Sequence, residues 1–159
     1  GSNPKGYFEH ELVGSLMKPQ RKDWLLEARG KVLKVVAPLL ASLPLQLNSD
    51  KKSVERVQYR VVFMQRDMDE VIHSQDTMLG NLDKVQEKVA GVSKAYVQQV
   101  ANAIEWCNEN EIPAIAINYN QLLSDPAEAI DSLGDFFHFS EGTLTAMSGV
   151  IDPSLYRSR

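Results

Sequence analysis

Arg66 closes a strand-like run, Tyr59-Arg60-Val61-Val62-Phe63-Met64-Gln65, and Ser74 follows eight positions later on what the pattern predicts to be the next helix. A guanidinium presents a planar fork of donors to an oxyanion, and a hydroxyl adds a neutral donor without the bulk of a second cation. Above the carboxyl end of a strand, such a pair occupies the region where open α/β sheets bind ligands. Eight residues advance about 80° net around a 3.6-residue helix, so both side chains can face one region. A plainer reading stands beside this one: Arg66 pairs with Asp67, Asp69 or Glu70, and Ser74 is an ordinary surface residue. Three acids in a first helical turn complement its positive end and repel an anion on the axis, so an anion held by Arg66 must lie to one side.

The elements that must position these residues alternate in type. Strand character is found at Lys31–Ala37, at Tyr59–Gln65 and at Ile112–Asn118, with Pro113 belonging at the start of its strand, where a missing N–H is tolerated. Their near-continuous apolarity predicts strands covered on both faces, as in a parallel sheet. Between them the period changes to 3.6. Met68, Val71, Ile72, Met78 and Leu79 share a stripe, with Asp67 and Glu70 in capping-box spacing, which predicts a helix over 67–79. Leu82, Val85, Val89, Val92, Tyr96, Val100, Ile104 and Cys107 predict a long amphipathic helix that ends near 108–110. Asp125 as N-cap, Pro126 at the first helical position and Glu128 reaching back predict a further helix through Phe137, and Glu141–Met147 a last one. The fold class is therefore α/β: three layers, a mostly parallel sheet of about three strands flanked by helices, with right-handed crossovers.

With 159 residues, 43% of them hydrophobic, the chain is long enough to bury a core of its own, and a single domain over residues 3–159 is expected after a Gly1-Ser2 tag remnant. The net charge of −4 provides no general attraction to nucleic acid or anionic membrane, and no apolar run approaches the length of a span. Cys107 alone can form neither an internal disulfide nor a metal site, and His10, His73 and His138 lack metal-ligand spacing, so no metal is expected and a reducing cytoplasm fits. Trp24 and Trp106 read as core or half-buried residues.

Several segments, taken in order, resemble bacterial sulfotransferase-family proteins: Asn3-Pro4-Lys5-Gly6-Tyr7-Phe8-Glu9, Lys34-Val35-Val36-Ala37-Pro38-Leu39, Tyr59 through Asp67 with Ser74, Asn118 through Pro126, and Asp152-Pro153-Ser154-Leu155-Tyr156-Arg157. The resemblance implies a P-loop-like fold that binds 3′-phosphoadenosine 5′-phosphosulfate and transfers its sulfuryl group to a hydroxyl or amine. It implies that Arg66 and Ser74 hold the 3′-phosphate, that Tyr119 lies near the adenine and that Arg157 lies close to the cofactor. Adenosine 3′,5′-bisphosphate is the corresponding product-side ligand.

Two departures accompany the resemblance. The family's Gly/Ser/Thr-rich loop for the 5′-phosphosulfate has no counterpart in the sequence, which contains no G-x-x-x-x-G-K-[ST] and no Pro-Arg-Ser-Gly-Thr-like run. Where the wider family carries Lys-Thr-His, with the His as general base, this chain reads Lys34-Val35-Val36, and Val36 cannot accept a proton. No catalytic residue is assigned; Glu9, His10 and His73 are the groups available for proton transfer. Two function classes are consistent with these residues, a sulfotransferase and a noncatalytic relative that serves as a nucleotide-binding or assembly module. Without the family's first strand, a homodimer that completes the sheet or the helical layer is a further expectation.

Overall fold

The structure is a computed structural model that describes residues 9–19, 22–50, 53–67, 69–71, 85–152 and 154. The chain divides into two compact units, one of Gly1–Arg60 with Ala95–Pro113 and the other of Val61–Lys94 with Ala114–Arg159.

In the first unit, 3-10 turns at Val13–Ser15 and Asp23–Ala28 bury Val13, Leu16 and Leu25. A short helix α1, Ala37–Leu40, follows, with Pro38 in its first turn, and Leu40 and Leu43 point inward. Strands β1, Gln46–Asp50, and β2, Ser53–Arg56, pair antiparallel, and Leu47 of β1 is buried. Tyr59 ties the segment after β2 back to the chain ahead of β1, its hydroxyl donating to the Pro44 carbonyl at 2.7 Å. The unit also takes the carboxyl-terminal part of helix α2, Val85–Glu109, where Ala103 and Cys107 are buried. That helix ends in a left-handed turn: Glu111 has φ 55°, Ile112 N–H bonds the Cys107 carbonyl at 2.8 Å, and Glu111 N–H bonds that of Asn108 at 3.2 Å. Two otherwise orphaned carbonyls are thereby satisfied.

The second unit is built on β3, Val61–Gln65, and β4, Ala114–Asn118, which pair parallel in register from Val61 opposite Ala114 to Gln65 opposite Asn118. Helix α3, Tyr119–Ser124, starts where β4 stops, because Asn118 caps it by accepting the Gln121 N–H at 3.0 Å. Helix α4, Pro126–Phe137, buries Ala129, Ile130 and Gly134, and ends at left-handed His138. Helix α5, Glu141–Val150, is capped by Ser140. Mixed α/β character with a parallel pair of strands and helices is thus shown.

The sequence reading needs correction in five places. Residues 31–36 form no strand: Val32 is 95% exposed, and Val36, extended at ψ 143°, is the residue from which α1 begins. Pro38 favours a helix start just there and supplies no N–H for a ladder. The described parallel sheet therefore has two strands rather than about three. Second, the β1–β2 hairpin went unpredicted because its strands are mostly polar, with Leu47 and Val54 too few to signal alternation. Third, β4 buries one face only: Ile117 is 4% exposed, while Ala114, Ala116 and Asn118 face outward. Fourth, Asp125 takes the N-cap position of α4 without a side-chain capping bond, and Glu128 accepts instead from the Gln121 amide. Fifth, the last helix runs on to Val150, past the expected Met147. No helix among the described residues is long and apolar enough to cross a membrane.

Candidate functional site

The register of β3 with β4 decides which residues meet at their carboxyl ends. Gln65 and Asn118 are paired, so the next residues, Arg66 and Tyr119, leave the sheet side by side. The Arg66 guanidinium carbon lies 5.1 Å from the centre of the Tyr119 ring, within range of a cation–π contact. This is the edge of a parallel sheet at which ligands of α/β proteins are held.

Arg66 also meets an acid of its own segment. Its Nε donates to Glu70 Oε2 at 2.9 Å, an i,i+4 pair whose side chains are 27% and 19% exposed. The sequence left Asp67, Asp69 and Glu70 open as partners; the fold brings Glu70 to Arg66, one helical turn along. Asp67 caps the first turn by accepting the Asp69 N–H at 2.9 Å. Glu70 is drawn into the site by both of its oxygens, since Oε1 accepts from Asn120 Nδ2 at 2.8 Å. Asn120 stands in the first turn of α3, so this carboxylate bridges the ends of both strands. Sequence reasoning missed Asn120. Its signal was the run Asn118-Tyr119-Asn120-Gln121 directly behind an apolar strand, where one Asn caps the helix and the other is left for a different partner.

Of the four residues expected at a nucleotide, Arg66 and Tyr119 are brought together, whereas Ser74 and Arg157 lie outside the described residues, as does His73. Within this geometry a half-buried cation beside an aromatic ring can meet an anion.

The groups named for proton transfer at the start of the chain gather elsewhere, in the first unit. A cleft of about 480 Å³ is lined by Glu9, His10, Glu11, Val13, Lys34 and Val36, among others. Lys34 and Glu9 pair at 2.9 Å, each about half exposed, so the pair adds little to stability. The His10 ring stacks on Trp24 with centroids 4.5 Å apart, and its Nδ1 accepts the Leu12 N–H at 3.2 Å. That bond engages Nδ1 as an acceptor. Trp24 and Trp106 are half-buried, as expected.

No family model matches the chain, and neither the curated proteins nor the solved structures contain a match to it.

Proposed function

We propose that this chain carries the donor-nucleotide site of a sulfotransferase-like protein, with Arg66 on the 3′-phosphate of 3′-phosphoadenosine 5′-phosphosulfate and Tyr119 beside its adenine. The observation that carries the reading is the side-by-side emergence of Arg66 and Tyr119 from the carboxyl ends of two parallel strands, with the cation 5.1 Å from the ring centre. Those are two of the residues that the family resemblance marks for the nucleotide, and they come from segments far apart in the chain. Bound there, the donor supplies a sulfuryl group for a hydroxyl or amine. The part of Arg66 is to hold and orient the phosphate end. A charge-assisted contact of this kind contributes about 1.5–3 kcal/mol.

A second reading, a noncatalytic nucleotide-binding or assembly module, is favoured by Val36. Its side chain, 53% exposed, lines the cleft in which Glu9 and His10 stand and can move no proton. Calorimetric titration with adenosine 3′,5′-bisphosphate tests the site common to both readings. Binding by the parent protein and its loss in Arg66→Ala is the expected result; equal heats, or none, remove the nucleotide site. Release of adenosine 3′,5′-bisphosphate from the donor in the presence of hydroxyl and amine acceptors then separates an enzyme from a module.

A further inference from the structure

We infer that Glu70, itself held by Asn120, is a positioning residue that sets Arg66 in place for phosphate; the inference rests on the nucleotide reading above. An arginine carries a long stem with many rotamers, and freezing it when the ligand arrives weakens binding. Here the freezing is done in advance. The Nε edge of the guanidinium is held by Glu70 Oε2 at 2.9 Å, and its carbon lies 5.1 Å from the centre of the Tyr119 ring. Held at one edge and placed beside the ring, the fork has fewer orientations left to it, and a planar fork recognises oxyanions by its orientation.

An ordinary surface i,i+4 pair would need nothing more than the helix that carries it. This one is more than two-thirds covered at both side chains, and its carboxylate is tied by a second bond to a residue fifty positions away. Asn120 stands beside Tyr119, so the ring and the carboxylate that meet Arg66 are both tied to the same turn of α3. A displacement of that turn would move the ring beside Arg66 and the carboxylate at its edge together. The arrangement joins both strand ends into one support for a single cation.

A carboxylate beside an arginine can instead act as a stand-in for the phosphate, to be displaced on binding. The two roles predict opposite signs. If Glu70 positions Arg66, Glu70→Ala weakens adenosine 3′,5′-bisphosphate binding about tenfold, the size of one charge-assisted hydrogen bond. Glu70→Gln keeps the length and an acceptor for Arg66 Nε, and a turned Asn120 amide can still meet it, so affinity returns to within about threefold of the parent. Asn120→Ala weakens binding in the parent and adds little in Glu70→Ala, because it acts through the same carboxylate.

The experiment is titration calorimetry of these variants with adenosine 3′,5′-bisphosphate and, in parallel, with adenosine 5′-monophosphate, which lacks the 3′-phosphate. Thermal melts establish that each variant is folded. The expected result is loss for the bisphosphate in Glu70→Ala, recovery in Glu70→Gln, and no dependence of the monophosphate on either. Binding that depends on Arg66 but is unchanged or tightened by Glu70→Ala overturns the positioning role alone. Equal losses for both nucleotides, or no recovery in Glu70→Gln, overturn it as well, since they mark general damage. No binding by the parent, or binding indifferent to Arg66→Ala, overturns the nucleotide reading and this inference with it.

Discussion

Gln65 and Asn118 face each other as the last rung of the parallel pairing between β3 and β4. A parallel pair points both carboxyl ends the same way, so the residues that come after the two strands are delivered to one place. In this protein they are a cation from one strand and an aromatic ring from the other. A shift of one residue in the register would turn the ladder's side chains to the opposite face and separate Arg66 from Tyr119.

The contact between Arg66 and Tyr119 is measurable apart from any ligand. Tyr119→Phe keeps the ring face, whereas Tyr119→Leu removes it. A double-mutant cycle of Arg66→Met with Tyr119→Leu, followed by urea unfolding, should return a coupling of about 0.5–1 kcal/mol. A coupling of zero would show that the two side chains are merely adjacent.

Whether an element was legible in the sequence depends on how it is held. The helix over Pro126–Phe137 and the strand at Ala114–Asn118 were legible because Asp125-Pro126 and Pro113 are local signals acting within a residue or two. The segment Lys31–Ala37 has the same β-branched content as a strand, yet a strand exists only when paired, and composition carries no information about a partner. The hairpin at Gln46–Asp50 and Ser53–Arg56 is the converse case, paired by backbone bonds with one inward leucine. At the site, Arg66 was readable as chemistry, and Tyr119 only through the family resemblance. The Glu70–Asn120 bond was not, since it depends on tertiary placement across fifty positions.

The turn that ends α2 stores removable strain. Glu111 has φ 55°, a left-handed conformation that costs a residue with a Cβ about 1–2 kcal/mol and glycine almost nothing. Part of that difference is returned because glycine also frees the unfolded chain. Glu111→Gly is therefore expected to stabilise the protein by about 0.5–1 kcal/mol, read as a higher urea midpoint with an unchanged slope. A lower midpoint would mean that the side chain of Glu111 contributes more than its backbone costs.

Gly134 tests how closely α4 and α5 approach. A Cβ at this position would come within 2.9 Å of Leu144 Cδ2 and 3.2 Å of Cδ1. Alanine gains about 1 kcal/mol over glycine in a helix interior, while turning aside the terminal methyls of half-buried Leu144 costs about 0.5–1.5 kcal/mol. Gly134→Ala should change stability little when Leu144 is present and raise it in a Leu144→Ala background. The difference between the two backgrounds is the diagnostic, and thermal melts of the four proteins in the cycle reveal it.

Tyr59 gives the fold a pH limit on the alkaline side. Burial pushes its phenol up from 10.0 to about 12, and the hydroxyl donates to the Pro44 carbonyl at 2.7 Å, a bond that only the protonated form can make. Because the folded state holds this proton more tightly than the unfolded chain, the associated stability is fully present below pH 10. It is lost progressively as the pH rises from about 10 toward about 12. Tyr59→Phe has no proton to lose. Its stability should start lower, for want of the bond to Pro44, and then fall less steeply over the same interval. Urea midpoints of the two proteins, measured from pH 9 upward, should converge; parallel curves would show that Tyr59 titrates alike in the folded and unfolded chain.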